Sequence, residues 1–188
     1  MATFRVCVFC GASAGRSAEY VSIGYSLGTE LGRRGIGLVY GAGGVGVMGA
    51  VSDGALAAGA EVIGVIPQSL FDREYGRTDL TDLRVVQTMH ERKAIMHELA
   101  DAFIVLPGGL GTLEEMFETA TWSQLGLQHK PLAVLNIGGY YTPLAELLAH
   151  AVTEGFLSLA DQSLVRLVDS IDELWPVLTD GGWASAEV

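Results

Sequence analysis

Short apolar runs alternate with helix-period segments along the chain, and that alternation leaves few folds open. The runs at 5–10, 36–40, 61–66, 102–106, 132–135 and 165–168 are four to six residues long and mostly apolar at both alternate positions. Strands buried on both faces read this way, and the runs are too short for helices. A seventh, weaker strand is expected at 84–87. Helices are expected at 18–34, 46–58, 89–100, 112–125, 140–152 and 171–178; the first carries Tyr20, Ile23, Leu27 and Leu31 on one stripe. Strand–helix alternation predicts an α/β fold: a doubly wound parallel sheet of about seven strands, with helices on both faces. Pro67 is expected to stop the third strand, and 68–82 shows no period. No repeat, linker or composition break divides the 188 residues, so one nucleotide-binding domain is expected, with a loose tail at 179–188.

Composition narrows the function. Hydrophobic residues make up 49% of the chain, enough for a sizeable core. The charge sum is 11 − 22 = −11, which repels nucleic acid polymers and anionic lipid. One small phosphate is still allowed, because a local Arg or a helix N-terminus can hold it. Cys7 and Cys10 sit in an apolar run and read as buried thiols. His90, His97, His129 and His150 have no metal-ligand spacing, so no metal and no cofactor are expected. No signal segment or membrane span is readable, which makes the cytoplasm the expected location.

Ligands in such sheets bind beyond the carboxyl ends of the strands, near the point where strand order reverses. The loops of interest therefore follow Cys10, Tyr40, Ile66 and Leu106. Three of them are glycine-rich. The first runs Cys10-Gly11-Ala12-Ser13-Ala14-Gly15 and the third Pro107-Gly108-Gly109-Leu110-Gly111-Thr112. The second matches G-x-G-x-x-G at Gly41, Gly43 and Gly46, with Gly44 between them. A dinucleotide site also needs an acid closing the next strand, and Glu61 opens that strand instead. One glycine loop is an ordinary strand-to-helix turn; three at one sheet edge favour a bound phosphate or nucleotide.

Two capping boxes are expected, Thr88 with Glu91 and Thr112 with Glu115. The second would account for Glu115 structurally, and a functional role has to outweigh it. Arg92 shares a stripe with Met89, Ile95, Met96 and Leu99. A guanidinium near a helix N-terminus opposes the dipole, which points to a ligand or a buried carboxylate. Lys93 reads equally as exposed or as phosphate-facing. The helices 89–100 and 112–125 also carry Met116, Phe117, Trp122 and Leu125, a surplus of apolar groups that argues for self-association.

The segment Pro107 to Glu115 reads P-G-G-x-G-T-x-x-E. With Met89-His90-Glu91-Arg92-Lys93, and with Thr121-Trp122-Ser123-Gln124-Leu125-Gly126 ahead of Lys130-Pro131, it resembles the Lonely Guy (LOG) family. These are cytokinin riboside 5′-monophosphate phosphoribohydrolases, once misnamed lysine decarboxylases. The resemblance implies a Rossmann-like homodimer that cleaves the N-glycosidic bond of a nucleoside 5′-monophosphate. It implies catalytic roles for Arg92 and Glu115. It also implies ligand contacts at Glu74, Lys93, Gly108, Gly109, Leu110, Gly111, Thr112, Glu114 and Thr121. Ser13, Gly43 and Gly44 complete the candidate binding set from the first two loops. Ala12, Ala42 and Leu110 depart from the family's usual residues, and Leu110 bears on base preference. The chemistry fits: breaking a ribosyl C–N bond builds positive charge on the sugar, which a carboxylate at Glu115 stabilises. Two rivals are a pyridoxal phosphate decarboxylase, for which only Lys93 and Lys130 could form the Schiff base, and a non-catalytic nucleotide sensor.

Overall fold

A strand of five residues, β1 (Arg5–Phe9), sits at the centre of the sheet because it is apolar on both faces. The computed structural model describes residues 4–71 and 76–179. The further strands are β2 (Gly37–Tyr40), β3 (Val62–Pro67), β4 (Asp82–Val86), β5 (Ala102–Val105), β6 (Leu132–Leu135) and β7 (Arg166–Val168). All pair in parallel, in the order β4-β3-β2-β1-β5-β6-β7. Val6 is in register with Leu38 on one side and Ala102 on the other. The chain winds outward from β1 to β4 and then returns to lay β5 against the other edge of β1. The connections after β1 and β5 leave in opposite directions, so a crevice opens at their carboxyl ends.

Two apolar layers hold the helices. On one face Val6, Val8 and Cys10 pack with Leu27 and Leu31 of α1 (Ala18–Arg33), Val47 and Val51 of α2 (Gly46–Ala57), and Leu174 and Leu178 of α8 (Ile171–Thr179). On the other, Cys7 and Phe9 pack with Met96 of α4 (Met89–Leu99), Met116 of α5 (Leu110–Gln124) and Leu144 of α6 (Thr142–Thr153). Two short helices complete the described residues, α3 (Gln68–Phe71) and α7 (Leu159–Gln162). No helix among them is long and apolar enough to cross a membrane.

The strands stand where the apolar runs place them, within one or two residues. Pro67 closes β3, paired with Val86, and the periodless segment 68–82 begins with α3. The helix expected to begin at residue 140 begins at Thr142, after a 3₁₀ turn at Ile137–Gly139. The largest correction concerns α5. It starts at Leu110, with Gly109 as its N-cap and no side-chain capping bond. Thr112 is therefore inside the first turn and the Thr112–Glu115 capping box does not form, whereas the Thr88–Glu91 box does.

Glycines inside α1 and α2 would normally cost each helix about 1 kcal/mol relative to alanine. Here they allow backbone contact. A Cβ at Gly28 would lie 2.0 Å from the Val51 carbonyl oxygen, and one at Gly54 would lie 2.1 Å from that of Tyr25. Ala42 uses the opposite solution: it is fully buried with φ 62°, a left-handed conformation that costs an alanine about 1–2 kcal/mol. Its carbonyl accepts the Arg77 N–H at 3.0 Å. A Cβ on Gly64 would lie 2.7 Å from the Ala42 methyl. The α1–α2 seam gives a clear expectation. Gly28→Ala forces the helices apart and costs about 3 kcal/mol, a fall of roughly 6–12 °C in Tm. An unchanged melting curve would show that the helices are not this close.

Candidate active site

Three glycine loops meet at the crevice because backbone groups lace them together. The Gly11 N–H donates to the Pro107 carbonyl at 3.0 Å, and the Gly11 carbonyl accepts the Met48 N–H at 3.0 Å. A Cβ at Gly108 would stand 2.1 Å from Thr112 Oγ1 and 2.8 Å from Gly11 N. The result is a cavity of about 440 Å³ at the carboxyl ends of β1 and β5. Its floor is Gly11 to Gly15, one wall is Gly108, Gly109, Gly111 and Thr112, and Arg92, Glu114 and Glu115 face it.

Helix α5 delivers the wall. With Gly109 as cap and the Leu113 N–H bonded to the Gly109 carbonyl, the N–H groups of Leu110, Gly111 and Thr112 have no intrahelical partner. They stand at the positive end of a 15-residue helix, an arrangement suited to an anion. No capping box holds Glu115, so the capping role expected of it is absent, and the residue lines the cavity.

Helix α4 delivers Arg92. The Thr88 hydroxyl accepts the Glu91 N–H at 3.1 Å, and Glu91 Oε2 accepts the Gln87 N–H at 2.8 Å, which fixes the first turn. Arg92 is only 4% exposed. Its Nη2 donates to the Gly41 carbonyl at 3.1 Å, and Nη1 lies 3.9 Å from Met89 Sδ. A Cβ on Gly41 would fall 2.0 Å from Nη2. The second glycine loop thus seats the guanidinium. Its Gly43 and Gly44 do not line the cavity; Gly43 instead bridges to Gly76.

Of the other candidates, Ser13 lies on the cavity floor. Lys93 is neither exposed nor in the cavity: it pairs with Glu114 at 2.5 Å and Glu118 at 2.9 Å. Burial opposes its charge, but those two carboxylates hold its pKa above the ordinary lysine value. Leu110 and Thr121 are exposed on α5 and their side chains are not part of the cavity lining, although Leu110 sits between the wall residues Gly109 and Gly111. Glu74 lies outside the described residues. The sequence reading missed Tyr20, Met48, Leu70 and Tyr140 as cavity residues. The available signal for Tyr140 was its place after β6, the strand next to β5. Cys10 also lines the cavity, but burial, aided by the Glu115 carboxylate, pushes its thiol pKa up and leaves it a poor nucleophile. No group of three or more metal-binding side chains forms among the described residues.

Beneath the site a polar clamp joins α4 to α5. The Thr119 hydroxyl donates to the Glu115 carbonyl at 2.8 Å, and His97 Nε2 lies 3.3 Å from the same hydroxyl. Since that hydroxyl proton is committed, Nε2 carries the ring proton. The ring packs 4.7 Å from Phe103 and 4.5 Å from Trp122, and Lys130 Nζ donates to the His97 carbonyl at 2.6 Å. Burial, with help from the Lys130 and Lys93 charges, lowers the His97 pKa to about 4. The unfolded chain titrates near 6.5. Between those values the unfolded chain binds a proton that the folded one refuses, so stability is full above about pH 6.5 and declines toward pH 4. The loss from this group is about 3 kcal/mol at most. Proton NMR should place the His97 midpoint near 4, and the acid-side fall in Tm should be shallower in His97→Gln. A midpoint near 6.5 would contradict the clamp.

Comparison with known proteins agrees with this geometry. Residues 48–178 match the family described as "Possible lysine decarboxylase". A cytokinin riboside 5′-monophosphate phosphoribohydrolase of Arabidopsis thaliana is 46% identical over 94% of this chain and 83% of its own length. Another from Oryza sativa subsp. japonica is 51% identical, over 82% of this chain and 64% of its own. Among solved structures, the molybdenum cofactor binding protein of the phototrophic bacterium Rippkaea orientalis superposes with a TM-score of 0.72. At 22% identity, with 96% of this chain and 98% of that one covered, it shares the Rossmann-like fold alone. With relatives this similar along most of its length, and with P-G-G-x-G-T-x-x-E forming one wall of its cavity, the chain belongs to the Lonely Guy (LOG) family.

Proposed function

We propose that the protein hydrolyses the N-glycosidic bond of cytokinin riboside 5′-monophosphates, and of AMP, releasing the free base and ribose 5-phosphate. The observation that carries this is the meeting, at one cavity, of a buried guanidinium, a carboxylate without a capping role and the open N-terminus of α5. The 5′-phosphate rests on the N–H groups of Leu110, Gly111 and Thr112. That anchors the ribose with C1′ toward Glu115, which stabilises the positive charge that grows on the sugar. As the C1′–N bond breaks, its electron pair leaves with the base, which takes a proton from solvent water. Water adds to C1′ and loses its own proton to Glu115. A guanidinium does not readily give up a proton, so Arg92 acts by hydrogen bonding and charge, orienting substrate and steadying the departing base. The decarboxylase rival is weakened by where the lysines are: neither Lys93 nor Lys130 lines the cavity, and both are engaged elsewhere.

The test is liquid chromatography of AMP and isopentenyl-AMP incubated with the protein. Free base is expected from the wild type. Glu115→Gln should bind substrate and melt like the wild type, yet lose turnover by about 100-fold or more. Arg92→Ala should lose roughly 2–4 kcal/mol of transition-state stabilisation, and Gly41→Ala should approach that loss by displacing the guanidinium. Nucleotide binding without any release of base would favour the sensor.

The same reading includes a cytoplasmic homodimer with α4 and α5 at its interface. Met96 and Met116 are used in the chain's own core, but Met89 is 41%, Phe117 39% and Leu125 65% exposed on or just after these helices. Leu110 is 87% exposed at the start of α5, beside the cavity wall, so a partner at this surface would border the site. Light scattering at low micromolar concentration should report twice the chain mass. A fully active monomer would refute both the interface and the shared site.

A further inference from the structure

We propose that Tyr140 is a positioning residue that locks the Gly108–Gly109 peptide in the orientation needed to bind phosphate. The proposal rests on the reading that the 5′-phosphate sits at the start of α5. The Tyr140 hydroxyl donates to the Gly108 carbonyl. Across a trans peptide the N–H points opposite to the C=O, so this bond turns the Gly109 N–H away from Tyr140. That N–H makes no hydrogen bond among the described residues. It adds a fourth donor to those of Leu110, Gly111 and Thr112.

The lock is needed because the peptide lies between two glycines. Gly108 is wedged against Thr112 and Gly11, but a Cβ on Gly109 would meet nothing within 4 Å. Sterics at residue 109 therefore do not fix the orientation of the 108–109 peptide, since glycine occupies either half of φ space with similar ease. A flipped peptide would present a carbonyl oxygen where an anion needs a donor. Tyr140 is itself built in. Gly138 and Gly139, with φ 60° and 73°, make the turn that brings it over the crevice. Its ring stands edge-on to Tyr20 at 5.7 Å and to Tyr141 at 4.9 Å. Tyr141 is tied down in turn, donating to the Leu106 carbonyl at 2.8 Å.

Tyr140→Phe keeps the ring and removes the lock. Binding of inorganic phosphate and ribose 5-phosphate, measured by calorimetry, should weaken about three- to ten-fold, the worth of one such hydrogen bond. Affinity for adenosine should stay the same, and the loss in AMP hydrolysis should appear in KM more than in kcat. Equal phosphate affinity in the two proteins overturns the proposal, as does an equal weakening toward adenosine and AMP, which would indicate ring packing. The calorimetry needs no turnover. A wild type that cleaves no nucleotide, but binds phosphate more tightly than Tyr140→Phe, supports the lock while refuting the hydrolase. A hydrolase whose phosphate affinity ignores Tyr140 does the reverse.

Discussion

The bond from the Gly11 N–H to the Pro107 carbonyl closes the point where β1 and β5 part. It joins the first glycine loop to the third at the place where the winding of the sheet reverses. Nothing larger than glycine fits at residue 108, and the neighbouring Gly11 carbonyl also receives the start of α2. The cavity and the exposed end of α5 lie at that join, while the second loop, through the Gly41 carbonyl, seats Arg92 beside it. The loops are held by backbone bonds, which do not depend on side-chain rotamers, and this suits a site that must stay in register.

Electrostatics explains how so acidic a chain can accommodate an anion. Lys93, the lysine nearest the site in sequence, is neutralised by Glu114 and Glu118. Local positive potential therefore comes from Arg92 and from unpaired helix N–H groups. Both are rigid: Arg92 is buried against the Gly41 carbonyl, and the N–H groups belong to a helix end. Charge held this way costs little reorganisation when a phosphate arrives.

The parallel sheet was legible in the sequence because its strands are buried on both faces and the apolar runs show it directly. The Thr88–Glu91 cap and the placement of Arg92 were legible for a similar local reason. The Thr112–Glu115 cap was misread because the pattern is local while the helix start is set by the turn at Gly108 and Gly109, which packs against β1 from far away in sequence. Lys93 stayed undecided because its partners lie on another helix. Tyr140 went unseen because no local motif marks a tyrosine whose hydroxyl reaches a carbonyl 32 residues earlier. No local pattern in α1 shows what its glycines do, and only the approach of α2 explains them.

The left-handed alanine in the second loop has a consequence of its own. The methyl of Ala42 and the missing side chain of Gly64 occupy one shared pocket of space under the sheet edge, too small for two methyls. Residues 42 and 64 therefore form an exchange pair: a glycine at 42 frees room that a larger residue at 64 could take, with Leu80 shifting to admit it. Their substitutions are not independent, and the effect of changing either depends on which residue occupies the other.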